Sequence, residues 1–306
     1  SRAKEFSIEK TYTDAEEMLA IEKPDVFCFS TQPTMRLPLV ELGVKYGVKL
    51  INFEKPMARS LSEAKKINEL CSEAGIKYVV SHQHIYAPYW KKAKKIIDTG
   101  EIGEIHTIHA TSKANLLDLG CHLVDYALWC NHDSHAEWVI GHVDGKKGLL
   151  GSHGSPDMAF GKVKFENGVH AVFEFGALAP DYPKYSDRPY LANAVTVYGS
   201  HGYVKAMTDG YLQAFTKSSQ GQVLKEQGDD WETQHKYLQI PYTKDIAEWL
   251  DDPRKVHPCN GDISYRGFQI LMGICLSAYE NRRINLPIKQ IPAEPILKTL
   301  KRELPN

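Results

Sequence analysis

The feature that most constrains this fold is an alternation, over the first hundred residues, of short apolar runs with longer amphipathic segments. Apolar runs occupy residues 26–30, 48–53 and 76–81, and helical stripes lie between them. Continuous apolar runs of this length are typical of strands buried on both faces, and the intervening segments are long enough for crossover helices. The pattern therefore predicts strand–helix–strand units in a parallel sheet.

The pattern changes after about residue 102, where apolar and polar residues alternate with a period of two. Asn167-Gly168 separates two such runs, at 163–165 and 169–175, and this dipeptide is a strong hairpin signal. We predict an α/β Rossmann-type N-terminal domain at residues 1–99. An α+β C-terminal domain with a large, mostly antiparallel sheet is predicted at residues 100–306.

Composition limits the partners of this chain. Its 306 residues carry 37 basic and 38 acidic side chains, so neither nucleic acid nor an anionic membrane is expected to bind. The 6 cysteines are scattered without a Cys-x-x-Cys pair, which is typical of a reducing compartment. No run of about 18 apolar residues is present to span a bilayer. We therefore predict a soluble, cytoplasmic protein.

Polar residues follow three of the predicted strands, at the edge of a parallel sheet where ligands bind. Lys55 comes directly after a buried strand and an acid, so a cleft could hold its amine toward a substrate hydroxyl. An ordinary solvated lysine at a strand end fits the same pattern, and the residues alone leave both interpretations open. The three strand ends are Ser30-Thr31-Gln32-Pro33, Glu54-Lys55-Pro56 and His82-Gln83-His84.

A second group of polar residues opens a predicted helix at 118–131. Spacings of four and three would place Asp118, His122 and Asp125 on one helix face. A histidine between two carboxylates is oriented by them and has its cationic form stabilised, which suits a general acid or base. A buried structural histidine–aspartate pair is the alternative, and the pattern does not decide between them.

Several short motifs occur in a fixed order along the chain. They are Lys-Pro-Asp-Val at 23–26, Ser30-Thr31, Glu-Lys-Pro-Met-Ala at 54–58, Ser-Glu-Ala-Lys at 62–65, Gly-Glu-Ile-Gly-Glu at 100–104, Asp-Leu-Gly-Cys-His-Leu-Val-Asp at 118–125 and Tyr-Gly-Ser-His-Gly at 198–202. Their order and spacing resemble the glucose-fructose oxidoreductase and inositol dehydrogenase family, known as Gfo/Idh/MocA. The resemblance covers most of the chain.

The resemblance implies that Lys55, Asp118 and His122 are catalytic. In such enzymes the histidine takes the proton of the reacting hydroxyl, while hydride passes from the same carbon to the nicotinamide of NAD or NADP. Lys55 would hydrogen-bond that oxygen, and Asp118 would align the substrate. Glu54 is expected to fix Lys55, and Pro56 to form a cis bond or rigid turn. The implied cofactor contacts are Ser30, Thr31, Pro33, Glu54, Lys55 and Pro56.

The sequence departs from the family in three places. The family's opening strand and Gly-x-Gly-x-x-Gly loop are not in this sequence, and residues 1–4 resemble the segment just beyond its second strand. We therefore expect a preceding N-terminal segment. The usual Thr-Pro-x-x-x-His is replaced by residues 31–36, which end in Arg36, and the usual Arg-Phe by Ile85-Tyr86. The connection between residues 111 and 118 is short, which would reshape the substrate pocket.

Other polar and aromatic residues complete the candidates. His84, Trp231 and His235 are predicted to bind substrate, with ordinary loop anchoring as the alternative for the last two. A metal site is not predicted, because the histidines lack supporting cysteine or carboxylate spacing. The histidines weighed for a metal were His82, His84, His106 and His109, and weaker substrate candidates were His153 and Tyr182.

The predicted function is the NAD- or NADP-dependent oxidation or reduction of a secondary alcohol on a sugar, cyclitol or related polyol. One alternative is an enzyme that keeps its NAD bound and cleaves or epimerises a glycoside without net redox change. Another is a non-catalytic sugar-sensing or scaffold protein. A homodimer or homotetramer formed through the C-terminal sheet is expected.

Overall fold

The computed structural model describes residues 2–151, 153–181 and 188–305. Among them, the first sheet has three parallel strands in the order β1-β2-β3, which confirms the predicted Rossmann-type α/β arrangement. The elements of this first part are α1 (Arg2–Glu5), α2 (Ala15–Glu22), β1 (Val26–Phe29), α3 (Arg36–Lys45), β2 (Leu50–Glu54), α4 (Leu61–Glu73), β3 (Lys77–Ser81) and α5 (Pro88–Asp98).

Local sequence accounts for these boundaries. The central strand β2 buries Leu50, Ile51 and Phe53, as expected for a strand covered on both faces. At α4 the Ser60 hydroxyl accepts from the Glu63 backbone N–H at 3.2 Å and so caps the helix. The cap of α2 is Asp14. A carboxylate at that position accepts two N–H groups and is favoured by the helix dipole.

The second part contains a large mixed sheet. Its nine described strands follow the order β11-β10-β9-β8-β4-β7-β6-β5-β12, and every neighbouring pair except β4–β7 is antiparallel. The predicted mostly antiparallel sheet is confirmed. The elements are β4 (Ile105–Ser112), a π-helical turn (Leu116–Gly120), α6 (Cys121–Cys130), β5 (Ala136–Asp144), β6 (Met158–Phe165), β7 (His170–Gly176), β8 (Asn193–Gly199), β9 (Gly202–Met207), β10 (Tyr211–Phe215), β11 (Leu224–Gln227), α7 (Trp231–Gln234), α8 (Gln239–Asp251), α9 (Gly261–Glu280), β12 (Ile284–Asn285) and α10 (Ile296–Glu303).

The hairpin between β6 and β7 turns where Asn167-Gly168 predicted it. Gly168 has φ +91°, a conformation that favours glycine, and the Asn167 side chain accepts from the Val169 N–H at 3.2 Å. Helix α9 packs closely on this half of the sheet. A Cβ at Gly141 would lie 2.3 Å from the backbone oxygen of Ile274, so glycine is required there.

The two parts of the chain are closely joined. The Val80 backbone N–H donates to the Cys259 carbonyl at 3.2 Å, just before α9. Helix α8 also packs on the first sheet, where the Tyr242 hydroxyl donates to Asn52 at 2.5 Å. The predicted domain boundary after residue 99 stays a prediction. Among the described helices, none is long and apolar enough to cross a membrane.

Candidate active site

A cavity of about 260 Å³ opens beyond the carboxyl ends of β2 and β3. Ligands in open parallel sheets bind at this edge. All six predicted catalytic and substrate residues line it, together with four residues that sequence reasoning had not assigned to substrate. The lining consists of Glu54, Lys55, Gln83, His84, Asp118, Leu119, His122, Tyr190, Trp231 and His235.

Lys55 and Asp118 form an ion pair in this cavity. The Lys55 amine donates to Asp118 Oδ1 at 2.7 Å and to the Asp118 carbonyl at 2.8 Å. The Asn115 side chain caps the turn that carries Asp118 by accepting its backbone N–H at 2.9 Å. Asp118 therefore does what was predicted for Glu54, whose side chain has no described contact with the amine. The reason is that the amine reaches across the cavity to the π-helical turn.

His122 is held as a neutral imidazole. Its Nδ1 lies 3.2 Å from the Tyr126 hydroxyl, which donates to the His82 carbonyl at 3.4 Å. Because the Tyr126 hydroxyl has one proton and donates it to that carbonyl, it accepts from His122. The His122 ring then carries its proton on Nδ1, and Nε2 keeps its lone pair. Burial, followed by the positive charges of His82 and Lys55, holds the pKa of His122 well below its usual range.

Asp125 contacts a different histidine from the one predicted. Its Oδ2 lies 2.6 Å from His82 Nδ1 and accepts from the Ser264 hydroxyl at 2.9 Å. Although burial opposes the charge, the Asp125 carboxylate raises the pKa of His82 to about 10. The expectation that two carboxylates would stabilise a cationic His122 is therefore wrong. Asp118 belongs to the π-helical turn before α6, so regular helical spacing does not carry across it.

Three aromatic rings form one wall of the cavity. The His84 ring stacks on Trp231, with centroids 4.0 Å apart, and His235 meets Trp231 edge-on at 4.5 Å. Burial, with repulsion from His235, lowers the pKa of His84 to about 3. Strand β3 ends at Ser81, and His84 lies in the 3-10 turn that follows. The three predicted substrate residues are brought together.

The other histidines weighed for a metal lie elsewhere. His109 pairs with Glu174 at 2.8 Å on the large sheet, and His106 contacts Thr107 on the same strand. His153 lines a second cavity of about 250 Å³, and burial lowers its pKa. Tyr182 lies outside the described residues.

The candidate cofactor residues surround the ends of β1 and β2. Ser30 and Thr31 are exposed just after β1. Pro33 and Pro56 line the second cavity, next to the cavity that Lys55 and Glu54 line. The Lys55–Pro56 peptide bond is cis, one of the two forms predicted for it.

Arg36 connects these two strand ends, and sequence reasoning missed this role. Its side chain is 1% exposed. Nη1 donates to the Thr31 carbonyl and hydroxyl, both at 2.8 Å, and Nη2 donates to the Lys55 carbonyl at 3.2 Å. The available signal was the arginine at the position where the family motif has histidine, which had been noted only as a departure.

Two family models match successive parts of the chain. Residues 1–82 match an oxidoreductase family with an NAD-binding Rossmann fold, and residues 90–205 match the Gfo/Idh/MocA C-terminal domain. An oxidoreductase from Agrobacterium radiobacter, solved with NAD⁺, L-tartaric acid and magnesium, superposes with a TM-score of 0.76 at 17% identity and covers 92% of this chain and 86% of that one. Levoglucosan dehydrogenase, solved with NADH and levoglucosan, gives 0.76 at 18% identity over 93% and 86%.

Two of the curated relatives are dehydrogenases of a sugar and a cyclitol. D-xylose 1-dehydrogenase [NADP(+)] of Haloarcula marismortui is 23% identical over 79% of this chain and 71% of its own length. Scyllo-inositol 2-dehydrogenase (NAD(+)) of Bacillus subtilis is 32% identical, over 33% of this chain and 30% of its own. Both family models match at the motifs that carry the resemblance, on the two sheets described above. The chain belongs to the Gfo/Idh/MocA family of oxidoreductases.

Proposed function

We propose that this protein oxidises a secondary alcohol, or reduces the corresponding ketone, on a sugar, cyclitol or related polyol with NAD or NADP. The observation that carries the proposal is one cavity lined by both the Lys55–Asp118 pair and a neutral His122. A hydride transfer from an alcohol needs a proton acceptor and a group that stabilises charge on the same oxygen. The cavity offers both.

Each side chain has a defined part in the proposed reaction. His122 accepts the hydroxyl proton at Nε2, the nitrogen that the Tyr126 contact leaves free. The Lys55 amine donates to the same oxygen and stabilises the negative charge that develops there. Asp118 holds that amine in position through two contacts. A nicotinamide bound beside these residues would supply the acceptor or donor of the hydride.

The residues near the strand ends fit a dinucleotide. Pro33 and Pro56 give the second cavity apolar walls, and this cavity adjoins the one that Lys55 lines. Ser30 and Thr31 lie exposed at the edge of the sheet where dinucleotides bind. We propose these four residues, with Glu54 and Lys55, as cofactor contacts. No metal ion takes part in the proposed chemistry.

The aromatic wall supports a sugar or cyclitol substrate. Trp231, His84 and His235 offer ring faces and nitrogen atoms beside an otherwise polar cavity, which suits a ring with several hydroxyls. The names of the relatives, xylose and scyllo-inositol dehydrogenases, fit the same class. The domain division at residues 1–99 and 100–306, and a homodimer or homotetramer formed through the large sheet, complete the proposal.

A cofactor titration followed by a substrate panel tests this function. NADH and NADPH are titrated by fluorescence into the 306-residue chain and into any longer natural form. A panel of polyols is then monitored at the nicotinamide absorbance. Binding and turnover support the proposal. Binding with product but no net NADH would favour the glycoside-cleaving or epimerising alternative, and binding of neither dinucleotide would leave the sugar-sensing alternative.

A further inference from the structure

His82, Cys121 and His122 form a buried cluster beside the cavity. One ring nitrogen of each histidine and the Sγ of Cys121 all lie within 4.8 Å of one another. The exposed fractions are 2%, 4% and 6% for His82, Cys121 and His122. Two imidazole nitrogens and a thiolate are donors that Zn²⁺ prefers. We propose that this cluster binds a zinc ion, and that the bound ion inhibits the enzyme.

Both histidines have a nitrogen available for the ion. Nε2 of His82 and Nε2 of His122 are buried, and neither has a hydrogen-bond partner in the part of the chain that the structure describes. Buried polar atoms without partners are uncommon in native proteins. The two ring centroids are 4.6 Å apart, and an ion bound through these two nitrogens would satisfy both atoms.

The other nitrogen of each ring already contacts an oxygen. Nδ1 of His82 lies 2.6 Å from Asp125 Oδ2, and Nδ1 of His122 lies 3.2 Å from the Tyr126 hydroxyl. Metal-bound histidines almost always direct their second nitrogen to a carboxylate or another oxygen, which orients the ring and fixes the tautomer. The cluster therefore has the outer contacts of a metal site as well as its ligands.

Distances and charges are compatible with zinc. Tetrahedral bonds of about 2.0–2.3 Å place ligand atoms roughly 3.3–3.8 Å apart, so these atoms need to approach by about 1 Å. Water could fill the fourth position from the cavity that His122 lines. Binding releases the Cys121 thiol proton and any proton on the ligating imidazole nitrogens. The two positive charges are then balanced by the Cys121 thiolate and the Asp125 carboxylate.

Inhibition follows from the shared ligand. His122 Nε2 is the proton acceptor of the proposed reaction, and a nitrogen bonded to zinc cannot accept a proton. This consequence rests on the proposed function, whereas zinc binding does not. The two are separable by experiment, because binding is measured without substrate or dinucleotide.

Cobalt is the spectroscopic probe for binding. The chelator-treated protein is titrated with Co²⁺, and a thiolate-to-cobalt absorption band at one equivalent, displaced by Zn²⁺, is expected. Cys121→Ser should abolish the band, and Asp125→Asn should weaken Co²⁺ binding by about 10–100-fold. Cys259→Ser is the matched control, because Cys259 is equally buried and contacts the His82 carbonyl but is outside the cluster. Circular dichroism verifies that each variant is folded. If Cys121→Ser does not fold, His82→Gln replaces it and should weaken Co²⁺ binding.

Three outcomes would overturn the site: no thiolate band, a band that survives Cys121→Ser, or equal loss in Cys259→Ser. In the activity assay, zinc should inhibit with a half-effect at its binding Kd. Binding without inhibition would overturn His122 as a ligand. A protein that binds zinc but has no dehydrogenase activity would retain the site and overturn the proposed function instead.

Discussion

The hydroxyl of Tyr126 lies 3.2 Å from Nδ1 of His122, and this contact selects the nitrogen that can accept a proton. The hydroxyl cannot donate to both partners, and the His82 carbonyl can only accept. A tautomer with its proton on Nδ1 therefore makes one more hydrogen bond than the other. In a buried site such a difference is not offset by water.

Replacing Tyr126 by phenylalanine should lower kcat and leave KM nearly unchanged. The lost contact is worth about 0.5–1.5 kcal/mol, so a roughly 2- to 10-fold decrease in kcat is expected. Steady-state kinetics with the best polyol substrate measures it. Tyr78→Phe is the control, because it removes another buried hydroxyl, one that donates to the Gly261 carbonyl. Equal kinetic effects of the two variants would contradict the role of Tyr126.

Replacing Lys55 by methionine should lower kcat by about 100- to 1,000-fold, the usual cost of losing one donor to a developing charge. Asp118→Asn should also lower kcat, but less, because the amine remains while one of its contacts weakens. Lys49→Met is the control, since Lys49 is exposed and pairs with Asp25 at the opposite end of β2. Stopped-flow measurement of a single turnover separates hydride transfer from product release. Full activity in Lys55→Met would exclude the proposed chemistry.

Replacing Arg36 tests whether the link between the ends of β1 and β2 supports binding of the dinucleotide. Arg36→Met removes the contacts that join Thr31 to the Lys55 carbonyl. Hydrogen bonds to a charged group contribute about 1.5–3 kcal/mol, so the Kd for NADH should rise by about 10-fold or more. Arg254→Met, which breaks an exposed pair with Asp252, should leave the Kd unchanged. Fluorescence titration measures both, and an unchanged Kd in Arg36→Met would show that the two loops need no such link.

Most of the fold could be predicted because periodicity and turn residues determine it locally. The run at 48–53 became the buried strand β2, and Asn167-Gly168 became the predicted hairpin. The extent of the N-terminal part of the fold was harder to predict, because α8, which lies far along the chain, packs on the N-terminal sheet. Contacts such as Tyr242 with Asn52 depend on tertiary packing, which no local pattern encodes.

The residues that line the site could be predicted from the sequence, but not which of them contact one another. Lys55, Asp118 and His122 line one cavity, as the motifs suggested. Helical spacing assigned Asp125 to His122, and the structure pairs it with His82. Two conditions caused the error: the π-helical turn breaks the regular period, and the residues after β3 form a 3-10 turn.

Buried histidines also make the stability of the fold depend on pH. His257 is completely buried, and burial lowers its pKa to about 4, against a smaller opposing effect of the Tyr242 carbonyl. Below pH 6.5 the unfolded chain binds a proton that the folded chain does not. The free energy of unfolding should therefore fall by roughly 1 kcal/mol per pH unit for this residue, until the pH reaches about 4. His84 acts in the same direction.

Urea denaturation between pH 7 and 4.5 measures this effect, and His257→Gln should reduce the slope by the contribution of one residue. His106→Gln, at an exposed position on β4, should leave the slope unchanged. His82 acts with the opposite sign, since its pKa is raised to about 10: it stabilises the fold below pH 6.5, and that stability is lost as the pH rises toward 10. A stability maximum near neutral pH that shifts to lower pH in His257→Gln would support this assignment, whereas an identical slope in both variants would contradict it.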